Sequence, residues 1–326
     1  MSKSLIVGVD IGGTTIKIAL LSETGDILAK SKIPTPVKDG EDVIIGDMVQ
    51  AIWALLAQHG FTREHVYGIG IGVPGPVEPT QGVVLRAVNV GLRDTPLKAK
   101  TEALTGLPVS IENDANAAAL GEMWCGSGRG TANLIAITLG TGVGGGIIID
   151  GHVVHGVKGV GGEVGHVTVN PEGPLCNCGK KGCMETYGSA TAIITGIEKA
   201  AQNGKSPLLA SILQEKGYLS AKDAFDAAAQ GDLASIEVID TAGFYIGLGL
   251  SHLGNLLNPG KIVIGGGVSS AGEELFKRIR ASFDQYTFPI AAECCEILPA
   301  TLGNDAGVIG AAWLVYNSQK SVPTVS

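Results

Sequence analysis

Short apolar runs bounded by turn-forming residues alternate with longer stretches of helical periodicity in the first third of the chain. The apolar runs predict strands, and apolar residues that recur every three or four positions predict helices. The predicted strands cover residues 5–10, 15–21, 27–33, 66–73 and 109–112. The predicted helices cover residues 42–58 and 95–105. Alternation of this kind is typical of an α/β fold.

The opening arrangement of strand, glycine turn and strand returns in the middle of the chain. Residues 10–15 read DIGGTT and residues 139–146 read LGTGVGGG, each between two apolar strands. Such repetition predicts two α/β domains with a cleft between them. After the second turn, helices are predicted at 185–201, 221–230, Leu233–Leu257, 273–284 and 305–316, and a buried strand at 261–265.

We therefore divide the chain into two predicted domains. The first is a small α/β domain over 1–114, on which a helix at 305–318 packs back. The second is a large α/β domain over 115–304. It contains an insertion at 156–184 that is rich in glycine and cysteine.

Composition narrows the class of protein. Apolar residues make up 45% of the 326 residues, enough for a sizeable buried core, and the net charge is −8. A nucleic-acid surface needs clustered Lys and Arg, and no run contains more than two basic residues. No signal peptide is predicted, and the most apolar window, 134–149, is interrupted by Thr and Gly. We expect a soluble, cytoplasmic protein with no nucleic-acid or membrane partner.

The two glycine turns have the composition of phosphate-binding loops. Glycines allow backbone N–H groups to converge on phosphate oxygens, and threonine hydroxyls can donate further hydrogen bonds. An Asp at the end of a strand suits Mg²⁺. One such turn is equally well explained as a plain hairpin, but a second turn with five glycines favours the binding of a triphosphate, ATP with Mg²⁺. The candidate residues are Asp10, Gly12, Gly13, Thr14, Thr15, Gly140, Thr141 and Gly142.

A third group of glycines follows the predicted strand at 261–265. Gly265, Gly266 and Gly267 are a candidate contact for adenosine. Close packing of a strand on a helix explains them equally well. None of the three glycine groups has the P-loop lysine pattern or the dinucleotide-binding spacing before a helix.

Asp114 lies between the strand at 109–112 and a strongly helix-forming segment. From this position alone, an N-cap role is the favoured interpretation. The functional alternative is a general base that accepts the proton of an attacking sugar hydroxyl, since a helix N-terminus stabilises the carboxylate form. Asn113 beside it offers a donor and an acceptor to sugar hydroxyls.

His166, Cys176, Cys178 and Cys183 have the composition of a closed, structural zinc site. Free thiols are the alternative, which the crowding of three cysteines into eight residues disfavours. Glu163 and Glu185 flank this segment and are candidate acceptors for vicinal sugar hydroxyls, although either is equally consistent with a solvated charge. His166 can bind a metal through one ring nitrogen and a sugar through the other.

These motifs together resemble the ROK family of repressors and sugar kinases, over essentially the whole chain. The resemblance rests on residues 10–14, 112–116, 139–146, 163–166 and 176–185. It implies an actin-like, hexokinase-like fold of two α/β domains. It also implies that Asp114 is the catalytic base and that His166, Cys176, Cys178 and Cys183 bind zinc. The residues implied to hold the sugar are Asn113, Asp114, Glu163, His166 and Glu185.

The predicted function is the ATP-dependent phosphorylation of a hexose, in the first place glucose. The alternatives are a kinase for another sugar, such as mannose, allose or an N-acetylhexosamine, and a sugar-responsive regulator. A regulator needs a DNA-reading helix-turn-helix, usually ahead of the sugar domain. We expect none here, because the first glycine turn begins at Asp10 and the net charge is negative. The resemblance suggests a homodimer or homotetramer.

Overall fold

Residues 4–269 and 272–320 are described by a computed structural model of the chain. Their contacts define two units. Unit 1 comprises the described parts of 1–132, 146–162 and 301–326, and unit 2 comprises those of 133–145 and 163–300. The helices and strands have the following bounds. The strands are β1 (Leu5–Ile11), β2 (Thr15–Leu21), β3 (Ile27–Pro34), β4 (Val66–Val73), β5 (Val77–Glu78), β6 (Val83–Ala87), β7 (Leu92–Thr95), β8 (Val109–Asn113), β9 (Leu134–Leu139), β10 (Val143–Ile149), β11 (His152–Val153), β12 (Lys261–Gly265) and β13 (Glu296–Pro299). The helices are α1 (Glu41–Gln58), α2 (Leu97–Thr105), α3 (Asp114–Cys125), α4 (Glu185–Gly188), α5 (Ala190–Gln202), α6 (Pro207–Lys216), α7 (Ala221–Ala229), α8 (Leu233–Leu257), α9 (Glu273–Tyr286), α10 (Pro289–Glu293) and α11 (Ala306–Lys320).

The main sheet of unit 1 has the strand order β3-β2-β1-β4-β8. β1 pairs antiparallel with β2 and parallel with β4, and β4 pairs parallel with β8. The carboxyl ends of β1, β4 and β8 therefore lie at one edge of the sheet, where α/β proteins bind ligands. Register brings Gly72 of β4 opposite both Asp10 of β1 and Glu112 of β8. A separate three-stranded sheet has the order β5-β6-β7.

Alternation along β1 and β4 divides the core of unit 1 between two faces of the sheet. Val7 and Val9 of β1 join a cluster with Ile44 and other apolar residues of α1. Ile6 points to the opposite face and joins a smaller cluster with Val308 of α11. Both faces are buried, which is why these strands are almost continuously apolar.

Glycines on the second face let α11 lie directly on the sheet. β4 reads VYGIGIGV, and a Cβ at Gly70 would overlap the backbone carbonyl of Ala311. The same close approach recurs between α11 and α3, where a Cβ at Gly310 would overlap the carbonyl of Ala117. The alternating glycines of the sequence thus mark the contact surface of a helix, and they need no unusual backbone angles.

In unit 2, β12 pairs parallel with both β9 and β13. These three strands are neighbours in the order β9-β12-β13. Helices α4 to α10 complete the unit, with α8 packed against α5, α7 and α9. α8 has the length and apolar composition of a membrane-spanning helix, but half of its most apolar window is buried inside the structure, as in the core helix of a globular domain.

The α/β fold class predicted from the sequence is confirmed. Two helix predictions are wrong in detail. Residues 185–201 form two helices because Ser189 is extended and its hydroxyl accepts a hydrogen bond from the Ala192 N–H, which starts α5. Residue 95 pairs with Val84 in β6–β7, so α2 begins only after Pro96. The helix α6 and the strand β13 were not predicted. The assignment of domains stays a prediction.

Candidate active site

The first glycine turn joins β1 to β2 in unit 1. The Gly12 N–H donates to the Thr15 carbonyl at 2.9 Å, which closes the turn. Thr35, just after β3, holds it from outside, since its hydroxyl donates to the Gly12 carbonyl at 2.6 Å and its N–H donates to the Thr14 carbonyl at 2.9 Å. With its carbonyls bonded in this way, the turn leaves the N–H groups of Gly13 and Thr14 without an acceptor among the described residues. Such paired donors suit an anion.

Asp10 and Lys17 lie directly opposite each other across β1 and β2. The Lys17 Nζ donates to Asp10 Oδ2 at 3.0 Å and contacts the Asn304 carbonyl at 3.4 Å. Gly307 of α11 leaves room for the Asp10 carboxylate, since a Cβ there would come within 3.1 Å of it. The carboxylate is mostly buried and retains one oxygen, Oδ1, that Lys17 does not use.

The junction of β8 and α3 holds the candidate base. Asn113 is the N-cap of α3, because its Oδ1 accepts from the Ala115 and Asn116 N–H groups at 2.9 and 3.2 Å. Asp114 is the first helical residue. The N-cap prediction for Asp114 is therefore wrong, since the residue before it takes that role. The Asn113 Nδ2 donates to the Gly75 carbonyl at 3.1 Å, so one of its two N–H bonds is used.

The Asp114 carboxyl is half-buried and carries a raised pKa. Burial raises the pKa most, the hydrogen bond from the Ala115 N–H opposes it, and the negative charge of Asp10 raises it further. A raised pKa makes the carboxylate a stronger proton acceptor once it is ionised. Within unit 1, the structure brings together Asp10, the first turn and Asp114, at the carboxyl end of the sheet.

The second glycine turn joins β9 to β10, and its residues from 140 to 145 belong to unit 2. Glu185, the first residue of α4, accepts a hydrogen bond from the Val143 N–H on Oε2 at 2.9 Å. A Cβ at Gly142 would overlap this carboxylate oxygen, so a larger residue there would displace the Glu185 carboxylate. The Gly140 carbonyl accepts from the Ala190 N–H at 2.7 Å, and the Thr141 carbonyl accepts from the Thr191 hydroxyl at 2.7 Å.

A pocket of about 380 Å³ in unit 2 brings the second turn together with three predicted sugar-binding residues. Glu163, His166 and Glu185 all line it, as does Gly266. Gly165 keeps the 163–166 loop against the turn, because a Cβ there would overlap the Val143 carbonyl. The lining residues are Thr138, Gly140, Thr141, Gly142, Val143, Gly144, Glu163, His166, Glu185 and Gly266.

Of the third group of glycines, Gly266 lines this pocket. Gly266 has a φ of 89° and would overlap the Leu139 backbone if it carried a Cβ, so it packs against the end of β9. Gly265 and Gly267 are not among the described residues that line the pocket. Gly266 is thus closely packed, but against a neighbouring strand and not, as the alternative interpretation has it, against a helix.

The four candidate zinc ligands of unit 2 converge. Their ligand atoms all lie within 4.8 Å of one another. Cys178 Sγ lies 3.6 Å from Cys183 Sγ, and Cys176 Sγ lies 3.6 Å from His166 Nδ1. A tetrahedral ion with Zn–S bonds of ~2.3 Å separates its sulfurs by ~3.7 Å, so the donor set fits Zn²⁺. Burial raises the pKa of Cys183 to about 12, and only a bound cation would keep this sulfur a thiolate at neutral pH.

His166 faces two different groups with its two ring nitrogens. Nδ1 faces Cys176 Sγ, while Nε2 lies 3.9 Å from Glu163 Oε2, on the pocket side. Glu185 contacts two different segments with its two carboxylate oxygens. Its Oε1 lies 3.6 Å from Cys176 Sγ, and its Oε2 accepts a hydrogen bond from the Val143 N–H. The cysteine loop and the glycine turn are thus linked through Glu185.

Three further features of unit 1 were missed from the sequence. Thr35 holds the first turn, Lys17 pairs with Asp10, and His155 bonds the buried Glu112 one residue before Asn113. The partner of Asp10 could have been found from the sequence. In a hairpin with this turn, the residue seven positions after Asp10 lies opposite it on the next strand, and that residue is Lys17. Nothing local signals Thr35 or His155, because their partners are distant in sequence.

The chain is similar to known proteins over its whole length. Residues 6–318 match the model of the ROK family. A glucokinase of Halalkalibacterium halodurans is 49% identical over 99% of this chain and 98% of its own length. A ROK family glucokinase of Streptomyces griseus, solved in complex with glucose and AMPPNP, is 39% identical, covers 95% of this chain and 98% of its own, and has a TM-score of 0.75.

The family also contains regulators. A ROK family transcriptional regulator, a homologue of the MLC protein of E. coli, is 30% identical with a TM-score of 0.84. The match covers 96% of this chain and 78% of the regulator. The two kinds of protein share the actin-like sugar kinase fold. The chain belongs to the ROK family.

Proposed function

We propose that this protein is an ATP-dependent glucokinase in which Asp114 is the general base. The observation that carries the proposal is the pocket of unit 2, where the glycine turn lies beside Glu163, His166 and Glu185. A full-length relative at 49% identity is a glucokinase, and another relative binds glucose and AMPPNP. The reaction transfers the γ-phosphoryl group of ATP to the C6 hydroxyl of glucose.

Asp114 accepts the proton of the C6 hydroxyl as its oxygen attacks phosphorus. Its raised pKa and its place at the N-terminus of α3 support this role. Asn113 offers its remaining N–H to the sugar, and the carboxylates of Glu163 and Glu185 accept from sugar hydroxyls. His166 donates to the sugar through Nε2 while Nδ1 holds a structural zinc ion together with Cys176, Cys178 and Cys183.

The phosphates of ATP bind the backbone N–H groups of Gly13 and Thr14, which Gly12 and its bond to Thr15 hold in place. They also bind the Thr15 hydroxyl and the turn at Gly140, Thr141 and Gly142. Gly265, Gly266 and Gly267 border the adenosine. Asp10 supplies Oδ1 to Mg²⁺, directly or through water. The cation neutralises charge that develops on the phosphoryl oxygens. A cytoplasmic location and a homodimeric or homotetrameric assembly are part of the proposal.

The test is a coupled assay of ADP release with glucose, mannose, allose, N-acetylmannosamine and N-acetylglucosamine. We expect glucose to have the highest kcat/KM. A variant without the base, Asp114→Asn, is compared with Asp47→Asn, a matched change at an exposed carboxylate of α1. Loss of turnover in both variants or in neither would refute the role of Asp114. A preference for an acetamido sugar would move the proposal to that substrate.

A sugar-responsive regulator is the second candidate, favoured by the TM-score of 0.84 with a family regulator. It predicts sugar binding without turnover. Calorimetric binding of glucose by a protein that releases no ADP would support this candidate and would exclude the kinase.

A further inference from the structure

Glu112 is a buried carboxylate directly before the site residues of unit 1. Its side chain is 3% exposed, at the end of β8. Oε2 lies 2.6 Å from His155 Nε2. Oε1 accepts from the Asn113 N–H at 2.9 Å and from Asn116 Nδ2 at 3.0 Å. Three donors therefore converge on one carboxyl group.

Glu112 holds the Asn116 side chain in one orientation. The Asn116 Nδ2 donates to Glu112 Oε1 at 3.0 Å, while Oδ1 is buried and has no donor within reach among the described residues. Rotating the amide would replace this hydrogen bond by a contact between two oxygens. The bond to Glu112 therefore fixes the direction in which Asn116 faces.

His155 is the group that faces the second oxygen of Glu112, and its environment favours the charged form of its ring. The hydrogen bond to Glu112 raises the pKa of His155, burial opposes this, and the charges of Glu112 and Glu78 add to the rise. Glu78 lies on β5 and its carboxylate accepts from the Thr80 and Gln81 N–H groups at 3.1 and 2.6 Å. The protonated form of His155 is therefore stabilised beside these carboxyl groups.

The residues that Glu112 bonds lie on both sides of Asp114. Asn113 directly precedes it and Asn116 follows it by two residues, and Asn113 Oδ1 in turn accepts from the Asn116 N–H. A movement of the Glu112 carboxylate would therefore shift both the cap of α3 and the helical turn that carries the base. Shifts of ~1 Å at a reacting group can cost ~10²-fold in rate.

We propose that His155 is a positioning residue for the candidate base: it holds the Glu112 carboxyl group, and through Asn113 and Asn116 it orients Asp114. This rests on the proposed phosphoryl transfer at Asp114. His155 itself does not touch the substrate in this account. Its contribution is greatest in the charged form and weakens as pH rises through its raised pKa, since a neutral imidazole keeps one donor but loses the charge.

The experiment compares His155→Leu, which removes the donor and the charge, with His155→Gln, which keeps a donor. His152→Gln is the matched control, because His152 is exposed on β11 and its Nδ1 contacts the backbone carbonyl of Asp150. Steady-state constants for glucose and ATP, the kcat–pH profile and thermal melts are measured for each full-length protein.

We expect His155→Leu to lower kcat by ~10–100-fold with little change in KM for ATP. We expect His155→Gln to recover part of kcat and His152→Gln to match the wild type. The ratio of wild-type kcat to that of His155→Gln should decline as pH rises. A kcat for folded His155→Leu equal to that of His152→Gln would overturn the proposal.

A purely structural role predicts a lower melting temperature with an unchanged kcat and no pH-dependent ratio, which would also overturn it. If His155→Leu does not fold, the proposal is tested by the pH dependence of the ratio of wild-type kcat to the kcat of His155→Gln. Failure of the proposed function is distinguishable, since the wild type itself would then release no ADP with any hexose.

Discussion

Glu185 Oε2 and the Val143 N–H are joined by a hydrogen bond of 2.9 Å, which links the start of α4 to the second glycine turn. The same carboxyl group reaches Cys176 with its other oxygen. One side chain therefore connects the cysteine loop, the glycine turn and the pocket, so its loss should affect binding more than folding.

The first prediction concerns Glu185→Ala. Hydrogen bonds to charged groups contribute ~1.5–3 kcal/mol, so we expect the Kd for glucose to rise by ~10–100-fold. Isothermal titration of glucose in the absence of ATP measures it. The control is Glu215→Ala, which removes an exposed carboxylate from α6. An unchanged Kd in Glu185→Ala would contradict a role in sugar binding.

The second prediction concerns Asp114→Asn. Loss of a general base lowers turnover by ~10²-fold or more. Because the folded-state pKa of Asp114 is raised, ionising it costs folding energy at neutral pH, and the asparagine avoids that cost. We therefore expect the melting temperature at pH 7 to rise by ~1–3 °C.

The raised pKa of Asp114 also predicts how stability and turnover depend on pH. The folded state prefers protonated Asp114, so the stabilising effect of Asp114→Asn should shrink as pH falls below the raised pKa. Over that range the kcat of the wild type should decline, because the base becomes protonated. Melting curves and kcat between pH 4 and 8 measure both effects. A variant that is less stable than the wild type throughout would contradict the assignment of the shift.

The third prediction concerns zinc. Elemental analysis should find about one zinc per chain, and removal by a chelator should lower the melting temperature by ~5 °C or more. Cys178→Ser should lose the metal, whereas Cys294→Ser, a matched change at an exposed cysteine elsewhere in unit 2, should keep it. Full metal content in Cys178→Ser would show that the cluster is not the zinc site.

The fourth prediction concerns two helical glycines of unit 1. Gly310→Ala would force a methyl group into the Ala117 carbonyl and should destabilise the protein by ~1–3 kcal/mol. Gly46→Ala in α1 meets nothing within 4 Å and should stabilise it by ~0.5–1 kcal/mol. Urea denaturation measures both. Equal effects of the same sign would contradict the packing of α11 on α3.

Local patterns predicted the elements with strong periodicity. The strands at 15–21 and 66–73 and the long helix Leu233–Leu257 were predicted with the bounds that the structure gives. The cysteine spacing, together with His166, predicted a cluster that the structure brings together. These succeed because alternation, helical spacing and crowded ligands are properties of neighbouring residues.

The features that could not be predicted depend on distant partners. Glu112 and His155 are 43 residues apart, and only the folded backbone brings them into contact. Thr35 bonds a turn 23 residues before it. The segment of β4 was predicted as a strand, but the reason for its alternating glycines was not. They allow α11 to pack closely on the sheet, and α11 is distant in sequence. Ser189 interrupts a helical pattern by capping the helix that follows, which periodicity alone cannot distinguish from continuation.

The glycine-lined face of β1 and β4 has a consequence for biosynthesis. The helix that covers it spans residues 306–320, while the strands themselves end by residue 73. During synthesis, more than two hundred further residues must be made after β4 before α11 can cover this apolar face of the sheet. A nascent chain stalled before residue 306 should therefore expose this apolar face and bind chaperones, even if its other segments are folded.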